Sequence, residues 1–251
     1  MSSRRLEGKR AVITGGTTGL GLATARLYLA EGATVLVTGR TQGNLDAAVA
    51  ALGSGAIGFA ADSTSLVDLD RLAAVARERL GQVDILFANA GNGMFAPIPA
   101  ADEALFDRQF DLNVKGVFFT VQKILPLIGS GGSIILTSSA VQSKGAPGGS
   151  LYFASKAAVR SFARSMASEL GGQGIRVNSL SPGIVPTQFF ANSNAPEELY
   201  DDFEALAGKA APLGRAGKAD EIAEVAVFLG SAASSFVTAA DFVADGGWSN
   251  V

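Results

Sequence analysis

Residues 10–21 read Arg10-Ala-Val-Ile-Thr-Gly-Gly-Thr-Thr-Gly-Leu-Gly21, and this stretch decides the fold. An apolar run typical of a short buried strand leads into a glycine-rich turn, and helical periodicity follows from Leu20 to Ala30. Glycines at such a turn let the backbone approach a pyrophosphate closely, while the start of the helix offers free N–H groups and the positive end of its dipole. The stretch therefore predicts the first strand–turn–helix unit of a dinucleotide-binding sheet.

Strand and helix patterns alternate along almost the whole chain. Short apolar runs predict strands at 10–14, 34–38, 56–60, 83–88, 133–137, 175–180 and 241–244. Helical periodicity predicts helices at 20–30, 45–52, 66–80, 151–170 and 219–230, and two helical stretches within 106–128. Strands that are apolar throughout are buried on both faces, and this alternation is typical of right-handed β-α-β units. We predict an α/β fold: a single domain over residues 1–251, with a doubly wound (Rossmann) parallel seven-stranded sheet flanked by helices on both faces.

Composition restricts the chemistry that this chain of 251 residues can perform. The sequence contains no Cys and no His, which excludes disulfides, thiolate catalysis, a histidine general base and metal sites built from those ligands. Acid–base work must therefore fall to Tyr, Lys, Asp or Glu. A net charge of −3 gives no basic footprint for nucleic acid, and no uncharged apolar run is long enough to span a membrane. We expect no metal, no nucleic-acid partner, no membrane association and a cytoplasmic location.

Tyr152 and Lys156 stand four residues apart in the predicted helix 151–170. Positions i and i+4 share one face of a helix, so the two side chains are expected to lie side by side. An ammonium group beside a phenol favours the phenolate and lowers the phenol pKa, which would let Tyr152 exchange a proton near neutral pH. The same spacing is compatible with a half-buried helix face on which the lysine stem packs and its ammonium reaches solvent.

The segment 187–208 interrupts the alternation of strands and helices. Asn194-Ala-Pro-Glu197 has the spacing of a capping box at a helix start, and Leu199, Phe203 and Leu206 follow at helical spacing. An inserted helical segment between a sheet strand and the next helix is expected to act as a substrate lid. An ordinary packing helix is the alternative interpretation.

Several motifs follow one another in order along the whole chain. They are Thr14–Gly21, Asn89-Ala-Gly91, Asn113, Ser138-Ser139, the Tyr152/Lys156 pair, Ser181-Pro-Gly183 with Thr187, and Asp245-Gly-Gly247. Together they resemble the short-chain dehydrogenase/reductase family, in its single-domain branch. Finer details, Phe87-Ala-Asn-Ala-Gly91 and Leu136-Thr-Ser-Ser139, are similar to bacterial NADPH-dependent alcohol dehydrogenases that reduce ketones.

The resemblance implies hydride transfer between a nicotinamide cofactor and a carbonyl or alcohol, with four catalytic side chains near the reacting oxygen. Ser139 would hydrogen-bond that oxygen, and Tyr152 would deliver its proton or remove it in the oxidation direction. Lys156 would lower the pKa of Tyr152 and hold the nicotinamide ribose, and Asn113 would anchor a water that links Lys156 to solvent. From the residues alone, Ser139 is equally compatible with a loop cap, and Asn113 with a bridge between helix and strand.

Cofactor choice is expected at the turn after the second strand, where the chain has Gly39-Arg40 and no acidic residue. An acid there would bind the ribose 2′-hydroxyl and repel a 2′-phosphate, whereas Arg40 can pair with that phosphate, unless it is simply a solvated surface arginine. We expect NADP(H), with NAD less favoured; Thr18, where some NADP-dependent relatives carry a second basic residue, weakens the preference. Asp62-Ser63 resembles the family's adenine contact, with a helix-capping turn as the alternative. The expected cofactor-binding residues are Gly15, Thr17, Thr18, Gly19, Leu20, Gly39, Arg40, Asp62, Ser63, Asn89, Ala90, Gly91, Tyr152, Lys156, Pro182, Gly183, Val185 and Thr187.

The substrate pocket is expected to be apolar. Its candidate residues are Val141, Leu151, Phe189, Phe190, Leu199 and Phe203. Such a lining favours a small-molecule ketone or secondary alcohol with bulky apolar groups. A sugar dehydrogenase, which needs a polar lining, and a 3-oxoacyl-thioester reductase, which needs a basic docking surface, are the alternatives within the family. A non-catalytic dinucleotide-binding regulator is the most distant alternative, because the four catalytic residue types are all present.

Assembly into a homotetramer is a further expectation. It is implied by the family resemblance and by the preference of soluble oligomers for closed point-group symmetry. The predicted helices 113–128 and 151–170 carry many apolar residues for one domain, so an interface is expected to bury part of them.

Overall fold

Seven parallel strands form a single sheet in the order β3-β2-β1-β4-β5-β6-β7. The computed structural model describes residues 4–189, 193–194 and 203–251, and of residues 203–204 the backbone alone. The strands are β1 Arg10–Ile13, β2 Thr34–Gly39, β3 Ala56–Ala60, β4 Val83–Ala88, β5 Ile128–Thr137, β6 Arg176–Pro182 and β7 Asp241–Ala244. The helices are α1 Gly19–Ala30, α2 Gln42–Leu52, α3 Leu66–Leu80, α4 Glu103–Phe110, α5 Val117–Ile124, α6 Ser150–Leu170, α7 Phe203–Ala210 and α8 Ala219–Gly230, and a π-helical turn at Asp111–Gly116 joins α4 to α5. The predicted α/β fold class, a doubly wound parallel sheet, is confirmed.

The sheet carries an apolar core on each of its two faces. In β1, Val12 packs into one core with residues of α3, α5 and α6, whereas Ala11 and Ile13 pack into the other core with residues of α1 and α8. Successive side chains of a strand point to opposite faces, so a strand that is apolar throughout contributes to both cores. On the second face, the buried Tyr28 of α1 donates a hydrogen bond of 2.9 Å to the Ala226 carbonyl of α8.

The segment that leads into β5 differs from the prediction. We expected the helical stretch to run to Ile128 and the fifth strand to begin at Ser133. Instead α5 ends at Ile124, a 3₁₀ turn containing Pro126 follows, and β5 begins at Ile128, which pairs with Val83 of β4. Pro126 favours the end of the α-helix at this point because it has no N–H group for the helical hydrogen bond.

The sheet topology determines where a ligand can bind. From β1 the chain continues outwards to β2 and β3 and then crosses back to β4 on the other side of β1, so the direction of strand addition reverses between β1 and β4. Parallel sheets with this reversal have a crevice at the carboxyl ends of the strands next to the switch point. The segments after β1, β4, β5 and β6, which contain most of the predicted site residues, meet at this crevice. Within the described residues, no helix combines the length and apolar character needed to cross a membrane.

Candidate active site

The turn after β1 forms a cradle at the start of α1. Gly15 and Gly19 have φ angles of +63° and +53°, in the left-handed region that favours glycine. A side chain at Gly21 would collide with the Gly15 carbonyl oxygen. The first turn of α1 contains no acidic residue, and Thr18, which precedes it, makes no capping hydrogen bond through its side chain. The N–H groups at the start of α1 can therefore bind an anion, and a pyrophosphate fits this cradle.

Asn89, directly after β4, ties this cradle to the centre of the sheet. Its backbone N–H donates to Thr14 Oγ1 at 3.1 Å, and its side-chain Nδ2 donates to the carbonyls of Thr14 and Gly15 at 3.1 and 3.2 Å. Thr137, at the end of β5, donates its hydroxyl to Asn89 Oδ1 at 3.3 Å. One amide side chain thus connects the carboxyl ends of three neighbouring strands and holds the glycine-rich turn in place.

The turn after β2 presents Arg40, an exposed residue that lines the cavity described below. The preceding Gly39 packs closely on the glycine-rich turn, since a Cβ at this position would lie 2.5 Å from Thr17 Cγ2. An acidic side chain at position 39 would therefore displace the Thr17 side chain. The turn after β2 thus presents the guanidinium of Arg40 and no acidic side chain at the place where such folds contact the ribose 2′-substituent.

Ser63 and Asp62, which follow β3, have different environments. Ser63 is buried and lines the cavity. The Asp62 carboxylate instead accepts hydrogen bonds from the backbone N–H and the hydroxyl of Thr64, both at 2.8 Å. Asp62 therefore stabilises the turn before α3, as in the alternative interpretation of Asp62-Ser63 as a helix-capping turn.

Helix α6 places Tyr152 and Lys156 on one buried face. Tyr152 and Lys156 are 8% and 4% exposed, although both line the cavity. The Lys156 Nζ donates to the Thr137 carbonyl at 2.9 Å and lies 5.9 Å from the centroid of the Tyr152 ring. The two side chains are neighbours, as the spacing predicts, and the ammonium is held by the end of β5.

Burial dominates the pKa of both groups. Burial raises the pKa of Tyr152 to about 12, although a hydrogen bond with Ser139 acts in the opposite direction. Burial also lowers the pKa of Lys156 to about 8, because the charged ammonium loses solvation. The direction for Tyr152 is opposite to the one expected from the tyrosine–lysine spacing, since loss of solvation around the phenol outweighs the favourable interactions with its neighbours.

Asn113 lies in the π-helical turn between α4 and α5 and is fully buried. Its Nδ2 donates to the Asn92 carbonyl at 2.8 Å and to Ser155 Oγ at 3.1 Å, and its Oδ1 accepts from the Asn92 N–H at 3.0 Å. A Cβ built on Gly91 would lie 3.2 Å from Asn113 Oδ1 and 3.3 Å from Lys156 Nζ, so these two atoms border the same small space. Asn113 bridges the loop after β4 and helix α6, and π-helical turns of this kind are frequent at functional sites.

Ser139 begins the 3₁₀ turn Ala140–Ser143 that follows β5. Its Oγ accepts from the Val141 N–H at 3.4 Å and donates to the Pro182 carbonyl at 3.5 Å, and it interacts with the Tyr152 hydroxyl. Ser139 therefore caps the 3₁₀ turn and also lies beside the Tyr152 hydroxyl.

A cavity of about 920 Å³ occupies the crevice at the carboxyl ends of the strands. The expected site residues that line it are Gly15, Thr17, Thr18, Leu20, Gly39, Arg40, Ser63, Asn89, Ala90, Gly91, Ser139, Val141, Tyr152, Lys156, Pro182, Gly183, Val185, Thr187 and Phe189. Gly19, Asp62, Asn113 and Leu151 are not among its lining residues in the described part of the chain. Phe190 and Leu199 lie outside the described residues, as does the side chain of Phe203.

Aromatic rings surround Tyr152 at one end of this cavity. The ring centroids of Phe95 and Phe189 are each 5.5 Å from that of Tyr152, and the centroid of Phe153 is 6.1 Å away. The first two rings meet over Gly93, because a Cβ there would lie 2.8 Å from Phe95 and 2.7 Å from Phe189. We call Phe95, Phe153 and Phe189 the aromatic wall.

The sequence reasoning missed several cavity residues. They include Asn92, Phe95, Phe153 and Trp248. Phe153 directly follows Tyr152, and Phe95 comes shortly after the Asn89-Ala-Gly91 motif, so proximity to recognised motifs was the available signal. A single aromatic residue near a motif is more often part of the core, and only the folded chain shows these rings facing one cavity.

A site that combines a pyrophosphate cradle with a buried tyrosine and lysine belongs to a dinucleotide-dependent oxidoreductase. The family model described as "Enoyl-(Acyl carrier protein) reductase" matches residues 15–249. "Oxidoreductase asL5" from Sarocladium schorii is 44% identical over 250 residues, covering 99% of this chain and 98% of the relative. A sorbitol dehydrogenase from Cereibacter sphaeroides is 34% identical over 251 residues, covering 97% of this chain and 98% of the relative. The crystal structure of a short-chain dehydrogenase/reductase from Brucella melitensis, named as a glucose/ribitol dehydrogenase, has a TM-score of 0.91 at 34% identity, with 98% of each chain covered.

The chain belongs to the short-chain dehydrogenase/reductase family. Membership implies an oxidoreductase that uses NAD or NADP and acts on a small molecule. The cradle at the start of α1 and the buried pair Tyr152 and Lys156 fit such a cofactor.

Proposed function

We propose that the protein transfers a hydride between NADP(H) and a ketone or secondary alcohol that carries bulky apolar groups. The observation that carries this proposal is the Tyr152 phenol, which stands between Ser139 and the aromatic wall. The cofactor, when bound, supplies or accepts the hydride at the carbon of the reacting C–O bond. Proton transfer at the oxygen of that bond falls to Tyr152, because the sequence contains no His and no Cys and the described lining residues include no Asp or Glu.

In the reduction direction, the proton of the Tyr152 hydroxyl moves to the substrate oxygen as the carbonyl becomes an alcohol. Ser139 donates a hydrogen bond to the same oxygen, on which negative charge develops. The phenolate that remains on Tyr152 is stabilised by the ammonium of Lys156, whose position is held by the Thr137 carbonyl. In the oxidation direction, the phenolate removes the proton from the alcohol.

The raised pKa of Tyr152 keeps the side chain in the protonated form that the reduction direction needs. Because burial raises this pKa to about 12, the side chain is a phenol at pH 7 and is ready to donate its proton. Alcohol oxidation requires the phenolate, so its rate is expected to increase as the pH rises.

A preference for NADP(H) is supported by the turn after β2. Arg40 provides a cation that can pair with a 2′-phosphate, and close packing of Gly39 on Thr17 disfavours an acid at that position. One charge-assisted contact of this kind contributes about 1.5–3 kcal/mol, which corresponds to a roughly ten- to hundredfold preference.

The charges around the cavity support an apolar substrate. Arg40 and Lys156 are the charged side chains among its described lining residues. The alternative of a sugar dehydrogenase draws support from the sorbitol dehydrogenase relative, but a polyol needs several hydrogen-bonding partners and the wall beside Tyr152 is aromatic. A 3-oxoacyl-thioester reductase needs a basic surface for its acidic carrier protein, and this chain has a net charge of −3. A regulator without catalysis does not require Tyr152, Ser139 and Lys156 to meet at one cavity.

Residues 187–208 are proposed to act as a lid within a single domain. Thr187 lies against the cradle, since a Cβ on Gly19 would be 3.3 Å from Thr187 Cβ. Further along, Asn194 exchanges two hydrogen bonds with the backbone of Phe95, at 2.7 and 2.8 Å. The segment thus contacts both the cofactor cradle and the aromatic wall, and closure over both would exclude water from hydride transfer. The predicted helix start at residues 194–197 lies mostly outside the described residues, and α7 forms the end of the segment.

Assembly as a homotetramer is supported by exposed aromatic residues on the face formed by α4, α5 and α6. Phe106 and Phe118 are 46% and 38% exposed, and Phe118 packs against Phe162 of α6 with ring centroids 5.6 Å apart. Exposed aromatic side chains such as these could be buried in a subunit interface. A monomer mass in light scattering at micromolar concentration would contradict the tetramer.

A substrate panel tests the proposed function. The purified protein is assayed with NADPH and NADH against aryl ketones, short aliphatic ketones, a ketose and a 3-oxoacyl thioester, and turnover is followed by the absorbance of the reduced nicotinamide. Aryl or branched ketones are expected to have the highest kcat/KM, with NADPH as the better cofactor. Higher kcat/KM for the ketose than for every ketone would establish the sugar dehydrogenase alternative instead.

A further inference from the structure

A partly buried polar cluster joins β6, β7, α6 and the 3₁₀ turn after β5. At its centre is the carboxylate of Asp241, which is 12% exposed. Its Oδ1 accepts hydrogen bonds from the hydroxyls of Ser179 and Ser181 at 2.6 and 2.7 Å. Its Oδ2 accepts from Gln142 Nε2 at 3.2 Å and lies 3.9 Å from Arg160 Nε. In the described part of the chain none of these residues lines the active-site cavity. The cluster can therefore affect the site only through the segments that it holds together.

Ser139 lies between two anchors of the backbone. Before it, Ser138 donates its N–H to the Leu180 carbonyl and its hydroxyl to the Lys156 carbonyl, both at 2.8 Å. After it, the Gln142 N–H donates to the Ser139 carbonyl at 3.0 Å, and the Gln142 side chain reaches Asp241. The hydrogen bonds of the Ser139 hydroxyl with the Val141 N–H and the Pro182 carbonyl are long, at 3.4 and 3.5 Å. The backbone anchors at Ser138 and Gln142 therefore determine the position of Ser139 more than the contacts of its hydroxyl do.

We propose that Gln142 and Asp241 are positioning residues that hold the 3₁₀ turn in register with β6 and β7, and thereby keep the Ser139 hydroxyl beside Tyr152. This inference rests on the proposed function, in which Ser139 donates a hydrogen bond to the substrate oxygen. A donor stabilises the transition state only while it points to the place where charge develops. The cradle is built from β1, β4 and α1, and the β6 serines keep their hydrogen bonds to Asp241 when only the Gln142 contact is lost, so cofactor binding should be unchanged.

The charge of Asp241 also has a structural role, and this decides the design of the test. Arg160 is 16% exposed, and its Nη1 is buried without a hydrogen-bond partner in the described part of the chain. Asp241 is the acidic group beside this guanidinium, and removal of one partner from such a buried pair is strongly destabilising. The first variant is therefore Gln142→Leu, which removes the contact to the turn and leaves the two serine hydrogen bonds and the Arg160 contact of Asp241 in place.

The expected result for Gln142→Leu is a kcat about tenfold lower with an unchanged KM for NADPH, which is less than the loss caused by complete removal of an oxyanion donor. Backbone amide exchange at residues 140–143 of the unliganded protein should also become faster. The matched control is Ser143→Ala, which removes a hydrogen bond of 3.4 Å within the same turn and no contact to β7. This control is expected to keep both kcat and the exchange rates of the parent protein.

A carboxylate at position 142 gives the second test and leaves Asp241 and its contact with Arg160 unchanged. Gln142→Glu replaces the amide donor by a second carboxylate facing Asp241 and should lower kcat at least as much as Gln142→Leu. An unchanged kcat in Gln142→Leu or in Gln142→Glu would overturn the inference. If the parent protein reduces no carbonyl compound, the proposed function fails, whereas unchanged amide exchange in Gln142→Leu would refute the positioning role by itself.

Discussion

Replacement of Tyr152 by Phe removes one oxygen atom and leaves an aromatic ring among its present neighbours. The new ring would keep its contacts with Phe95 and Phe189, whose centroids lie 5.5 Å away, so the aromatic wall and the fold should persist. The variant loses the proton donor and its hydrogen bond with Ser139. A positioned general acid contributes about 10²–10⁴-fold to the rate, so we expect kcat to fall at least a hundredfold, or about 2.7–5.5 kcal/mol in the barrier.

Steady-state assays with NADPH and the best ketone of the panel would give kcat, and fluorescence titration would give the Kd for NADPH, which should stay within about threefold of the parent value. Tyr28→Phe is the matched control, because it also removes a buried hydroxyl, here one that donates to the Ala226 carbonyl at 2.9 Å. This control should lose about 1 kcal/mol of stability and no activity. If Tyr152→Phe retained more than about a tenth of kcat, a loss under about 1.4 kcal/mol, Tyr152 would not be the acid.

Three further variants test the cofactor preference, the substrate class and the buried ammonium. Arg40→Asp should remove a roughly ten- to hundredfold preference for NADPH over NADH in kcat/KM, and equal use of both cofactors by the parent protein would contradict this assignment. Phe189→Ala should change the ranking of ketones in the panel far more than the KM for NADPH, and an unchanged ranking would remove Phe189 from the substrate pocket. For Lys156, burial lowers the pKa from 10.5 to about 8, so between these pH values the unfolded chain holds a proton that the folded chain lacks, and stability rises with pH. Lys156→Met should abolish this rise in Tm, and parallel Tm profiles of the two proteins would show that the ammonium is not desolvated.

Much of the fold could be predicted because its signals are local. The bounds of α3, α8, β3, β4 and β7 agree with the prediction. In α3, for example, the side chain of Ser65 accepts a hydrogen bond from the Asp68 N–H at the first turn, and Gly81 with φ of +77° ends the helix. Such capping and terminating residues act within a few positions along the chain, so they can be read without tertiary information.

The start of β5 shows where local reading failed. Ile128 belongs to a strand because Val83, far away in the sequence, offers it a pairing partner. Apolar residues before a glycine fit a helix end equally well, and only sheet pairing distinguishes the two. The π-helical turn that carries Asn113 was not predicted either, and its side-chain amide donates to Asn92 and Ser155, which come from other segments of the chain.

The sequence by itself determined the α/β fold class, the position of the cradle and the four-residue spacing that places Tyr152 beside Lys156, because each depends on the periodicity or chemistry of adjacent residues. Only the tertiary structure brought Phe95 and Phe189 to Tyr152 and joined Gln142 to Asp241. It also decided the direction of the Tyr152 pKa. Solvation of a phenol depends on every group packed around it, and those groups come from segments that are distant along the chain, so burial could reverse the expectation drawn from a single neighbouring lysine.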